Sequence, residues 1–84
     1  MTITNKQFRE LEGLYFHSCI LYRRQLNEAE KLEMRKNVEY SFQLCDKLEV
    51  PFQAQNITLE LARVRKNKDY YFIDLLKENN ITIA

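Results

Sequence analysis

The chain has 84 residues with one Gly, one Pro and two Cys, and its 13 basic and 12 acidic side chains leave a formal charge of +1. That length holds a single domain over residues 1–84, near the lower limit of what one core can stabilise. So few Gly and Pro argue against a β-sandwich or a loop-rich scaffold, and the balanced charge excludes a globally basic nucleic-acid wrapper, since each phosphate contact needs a cation.

The longest apolar run, LYFHSCILY, is interrupted by His17 and Ser18 and falls short of the ~20 residues that span a bilayer. The start, MTITNK, has neither a basic nor an apolar region of the signal-peptide kind, so none is expected. Two cysteines in that setting read as reduced thiols of a cytoplasmic protein. Residue types read from AT-rich codons (Phe, Tyr, Met, Ile, Asn, Lys) outnumber Gly, Ala, Arg and Pro by more than two to one. The expectation is an AT-rich source such as a phage, a plasmid or a low-GC bacterium.

The predicted fold class is all-α: a small four-helix domain built on an N-terminal antiparallel helical hairpin, with the last helix short. Thr4 is the expected cap of the first helix, with Gln7 completing a capping box and Ile3 and Phe8 forming a hydrophobic staple. The helix is expected to run to about Leu26. Phe8, Leu11, Tyr15, Cys19, Tyr22 and Leu26, widened by Leu14 and Leu21, make its apolar stripe. Lys6, Glu10, His17 and Arg24 are expected on the wet side.

Phe16 and Ile20 fall outside that stripe, with Gly13 beside them. A mid-helix glycine costs about 1 kcal/mol relative to alanine, so it asks for a reason, such as another backbone packing close. One reading makes the first helix central and surrounded by the others. The other makes Gly13, Phe16 and Ile20 a protein interface, which suits a small core that borrows area from a partner subunit.

The second helix is expected to start at the cap Asn27, with Glu28 and Glu30 favoured by the positive end of the dipole. Its inward stripe is Met34, Val38, Ser41, Cys45 and Leu48, flanked by Phe42 and Leu44, and it stops before Val50-Pro51. The third helix is expected from Pro51 to about Lys66, with Ala54, Ile57, Leu61 and Val64 inward. Its ITLEL portion also alternates like a strand, but one isolated strand would have no partner for its amides. Asn67 or Asp69 would cap a short fourth helix, YYFIDLLKE, with Phe72, Ile73, Leu75 and Leu76 in the core and Asn79-Asn80 ending it. The apolar tail ITIA would pack back or pair with a second copy.

No reactive constellation emerges. His17 and Cys19, two apart on a helix, point away from each other. One His and two Cys without a CxxC spacing cannot build a usual zinc site. Cys19 and Cys45 would lie about 15 Å apart along a hairpin folded at Asn27, by ~1.5 Å rise per residue, too far for a disulfide. The many Glu residues share helix faces with Lys and Arg. There is no glycine-rich phosphate loop and no nucleophile elbow. The expectations are therefore no enzyme, no cofactor, no metal and no small-molecule substrate.

The stretch RVRKNKDYYF remains. Arg63, Arg65, Lys66 and Lys68 could neutralise phosphates, while Tyr70 or Tyr71 stacks on a base. The same cations also suit the negative end of the third helix, and YYFIDLLKE is too apolar for a recognition helix. The leading expectation is a small non-enzymatic regulatory or adaptor protein that binds another protein and forms a homodimer. The alternative is a nucleic-acid-binding protein using residues 63–71.

Overall fold

The computed structural model describes residues 1–64 and 71–84. It holds four helices, α1 (Asn5–Arg23), α2 (Glu28–Lys47), α3 (Phe52–Val64) and α4 (Phe72–Glu78), and two short strands, β1 (Thr2–Ile3) and β2 (Thr82–Ile83). The all-α four-helix expectation holds. Residues 57–61 are helical. Asn67 and Asp69 lie outside the described residues, but neither caps α4 as expected: it starts at Phe72, two residues later than YYFIDLLKE, with Tyr71 at its N-cap and no side-chain cap bond.

Local chemistry sets the helix starts. Thr4 Oγ1 accepts the Gln7 N–H at 3.1 Å while Gln7 Oε1 accepts the Thr4 N–H at 2.8 Å. That reciprocal pair satisfies two amides that the helix itself leaves free. Asn27 and Glu30 repeat the arrangement at α2, at 2.8 and 3.1 Å, so Glu30 is a capping partner as well as a dipole charge.

The ends of α2 and α4 share one device. Glu49 (φ 58°) and Asn80 (φ 63°) take left-handed backbone, and the amides of Val50 and Ile81 then reach back to Cys45 O and Leu76 O, both at 2.9 Å. This is the Schellman closure, in which one left-handed residue turns the chain and satisfies the last carbonyls. Asn80 was legible as such a stop. Glu49 was not, because a long side chain there carries a steric cost that Gly avoids.

The helices run up, down and up. Gln7 at the start of α1 donates to Leu48 O at the end of α2 at 3.1 Å, which makes that pair antiparallel. Arg23 at the end of α1 donates Nε–H to Ala62 O near the end of α3 at 2.8 Å, so α1 and α3 point the same way. α1 packs against both neighbours. The resulting slab measures 39 × 30 × 16 Å.

This placement rotates α1 relative to the sequence expectation. Its buried residues are Leu11, Leu14, Tyr15 and Ser18, so the core face lies roughly 50° round from the predicted stripe at about 100° per residue. Tyr22, expected inward, is 48% exposed, and α1 stops at Arg23 rather than Leu26. His17, expected in water, is half-buried, with Nδ1 3.0 Å from Ser41 Oγ of α2. Two helices on adjacent flanks pull the burial maximum between them.

α3 is rotated further, by about a quarter turn. Ala54, Gln55, Thr58 and Ala62 are buried, while Ile57 and Leu61 are half-buried and Val64 is exposed. Ala54, Thr58 and Ala62 stand four apart, and small side chains let a helix approach its neighbour closely. The polar members stay affordable because they are bonded. Thr58 Oγ1 donates to Ala54 O at 2.8 Å, and Gln55 Nε2 donates to Asp46 Oδ1 and Val50 O, both at 3.1 Å.

α4 closes the core. The Phe72 ring stacks on Tyr15 at 4.5 Å and on Phe8 at 5.8 Å between centroids, an offset geometry worth about 0.5–1.5 kcal/mol beyond area burial. Leu76 is fully buried. Beyond it the tail pairs within the chain: β2 runs parallel to β1, with Thr2 opposite Thr82 and Ile3 opposite Ile83. Ile81 and Ile3 are both buried, so the two ends of the sequence form one corner of the core.

Candidate functional site

Two surfaces concentrate the side chains that sequence reasoning singled out. The first is the outer face of α1. Phe16 is 53% exposed, and Ile20, one turn on, is half-buried. The view of α1 as enclosed on all sides therefore does not describe its outer face. A Cβ built at Gly13 would meet nothing within 4 Å. Close packing by another part of the described chain is thus not why glycine stands there.

The second surface is the end of the slab where α1 and α3 both finish. Two negative helix ends side by side attract cations. Arg23 reaches across to Ala62 O. Arg63 Cζ sits 5.8 Å from the Tyr22 ring centroid, and its Nη1 lies 3.4 Å from Glu60 Oε1. Both partners of that ion pair are well exposed, so it contributes little. Arg24, exposed at the end of α1, lines with Gln25 and Lys31 a surface cleft of about 700 Å³.

The candidate basic-aromatic patch is thus only partly gathered. Arg63 belongs to it, and the fold adds Tyr22, Arg23 and Arg24, which sequence reasoning missed. The up-down-up topology puts residues 22–24 beside residues 62–63, and no local spacing announces that. Arg65, Lys66, Lys68 and Tyr70 lie outside the described residues. Tyr71 is 76% exposed at the N-cap of α4, whereas its neighbour Phe72 is buried. The aromatic run therefore divides between surface and core.

Other features have less chemical reach. The His17–Ser41 contact pairs a base with a hydroxyl, but Ser41 is buried and a nucleophile must meet its substrate. Cys19 is a half-buried and Cys45 a buried free thiol. Burial pushes the Cys45 thiol up to about 11, with smaller contributions from the charges of Glu10 and Asp46. That protonated group is a poor nucleophile. Among the described residues no three His, Cys, Asp or Glu side chains gather around a point where a metal ion could sit. Ile57, Leu61 and Val64 of α3, with Asn79, line an apolar cleft of about 330 Å³. No helix is long and apolar enough to cross a membrane among the described residues.

Compared with known proteins, the chain matches no protein-family model, no curated protein and no solved structure.

Proposed function

We propose that this chain is a small non-enzymatic regulatory or adaptor protein that acts by binding another protein through the outer face of α1, around Gly13, Phe16 and Ile20. The observation that carries the reading is Phe16, a large aromatic more than half exposed on the side of α1 away from the core. Phe16 is 53% exposed, so burying the remaining half of the ring against a partner releases roughly 1–1.5 kcal/mol, about half of what full burial gives. Interface energy also concentrates in a few aromatic anchors.

The experiment is cross-linked capture of partners by the wild type and by Phe16→Asp, Ile20→Asp protein. Loss of the captured proteins, with an unchanged melting temperature, is the expected result. Unchanged capture removes the face from consideration. Exposed Leu32, Tyr40 and Phe52 on the other helices support the companion proposal of a homodimer, which light scattering decides. The composition supports a cytoplasmic protein of a phage, plasmid or low-GC bacterium.

A second reading rests on the Arg63–Tyr22 contact beside Arg23 and Arg24. An exposed ring next to guanidiniums is a means of holding single-stranded nucleic acid. That reading expects gel retardation at low salt that fades steeply as salt rises, and its loss in Arg63→Glu, Arg65→Glu protein. No retardation at low salt disposes of it.

A further inference from the structure

The outer face of α1 carries a chemical signature that says what kind of partner fits it. At about 100° per residue, Lys6, Arg9, Gly13, Phe16, Ile20 and Arg24 fall within a sector of roughly 80°. From Lys6 to Ile20 the steps are three, four, three and four residues, the spacing of a seam along which a second helix lies at a shallow angle. Lys6, Arg9 and Arg24 are exposed, and no acid falls in the sector; Glu10 and Glu12 stand about 40° beyond its two edges. The chain as a whole is nearly neutral, so this one-sided charge is local.

The centre of the seam is apolar and uneven. Phe16 projects, and one turn away Gly13 leaves open space where a side chain would stand. Such a knob beside a hole is what a facing helix interlocks with. The glycine lowers the helix's own stability and has no packing role among the described residues. A partner backbone approaching at Gly13 would give it one.

We propose that this seam docks an acidic amphipathic helix of another protein, with bulky apolar residues at its centre and Glu or Asp toward both ends. This rests on the adaptor reading above and adds the chemistry of the partner. A second copy of α1 is the poorer occupant. Paired parallel, each cation meets its own counterpart. Paired antiparallel with Ile20 over the partner's Gly13, Arg9 confronts Arg24 twice. An acidic helix meets the same cations with opposite charge, and such complementarity selects among partners.

The probe is a synthetic helix of about 20 residues, matching the ~27 Å from Lys6 to Arg24, with Leu at its central seam positions and Glu toward its ends. A twin carries Lys for every Glu. By fluorescence anisotropy the full chain is expected to bind the acidic peptide at least about tenfold more tightly than the twin, less so as salt rises. Arg9→Glu, Arg24→Glu protein is expected to reverse the preference. Gly13→Leu is expected to weaken binding about tenfold without lowering the melting temperature, a combination that misfolding does not produce. Equal binding of the two peptides, binding of neither, or a dimer that dissociates in Phe16→Asp protein overturns the proposal. If captured partners depend on Phe16 while the peptides bind equally, the adaptor reading stands and the acidic partner falls.

Discussion

Gln7 reaches from the first turn of α1 to the closing turn of α2, where its Nε2 donates to Leu48 O at 3.1 Å and to Glu49 O at 3.3 Å. The same amide accepts the Thr4 N–H through Oε1. One side chain therefore caps its own helix and ties down the end of the next. Gln7→Ala is expected to cost about 1–2 kcal/mol, a lost cap and a lost tertiary bond together. Gln7→Glu keeps the acceptor but removes the donor, so it should cost less than Gln7→Ala. Urea unfolding of both variants separates the two roles. Equal losses would show that one of the roles contributes nothing.

Gly13 offers the opposite sign. Its added Cβ would stand in open space, and alanine in a helix interior is favoured by about 1 kcal/mol. Gly13→Ala should raise the melting temperature by about 4–8 °C, the shift such a gain makes in a domain this small. A lower melting temperature would mean that something already packs against that face in solution.

Glu49 pays the steric cost of a left-handed backbone at φ 58° and no hydrogen bond of its side chain is seen among the described residues. Glu49→Gly is expected to stabilise the chain by about 0.5–1 kcal/mol, the smaller end of the left-handed penalty once glycine's freedom in the unfolded chain is counted. Thermal unfolding checks it, and a loss of stability would contradict the closure described for α2.

Cys45 ties stability to alkaline pH. Its thiol sits at about 11 in the folded chain against an ordinary 9.0, so above pH 9 the unfolded chain releases a proton that the folded chain keeps. The sign follows: this contribution is fully present below pH 9 and is lost as pH rises towards 11. Cys45→Ala should flatten the fall in stability between those values, apart from its own cavity cost. In the wild type at pH 8, Cys45 should react with iodoacetamide only as fast as the chain opens.

The C-terminal tail acts as a core element despite its length. Ile81 is 1% exposed, and β2 pairs with β1. Ile81→Ala is expected to cost about 2–5 kcal/mol, as for other buried large-to-small changes. Removing residues 81–84 should destabilise the chain at least as much, because Ile3 then loses its cover. Proteolysis or a melting curve of the shortened chain decides this; an unaltered melt would mean that the tail only rests on the core.

The residues that were legible in isolation are those whose partners are near in sequence. Thr4 with Gln7, Asn27 as a cap, the stop before Pro51 and Asn80 at the end of α4 all act within one turn, and hydrogen-bond geometry over that distance is set by the chain itself. The rotation of a helix about its axis is different. Leu14 and Ser18 displaced Tyr22 from the core, and Thr58 and Ala62 displaced Val64, because each helix turns towards the space its neighbours leave. The apolar pattern alone permits several such turns of similar energy.

The same division runs through the candidate surfaces. Phe16 and Ile20 stood out from the stripe by spacing alone, and the one-sided charge around them is written in the order of residues 6–24. That Arg63 lies over Tyr22, that His17 meets Ser41, and that the tail joins the start of the chain needed the fold. Each brings together groups from distant parts of the sequence, and only the packing of helices against one another decides which of them meet.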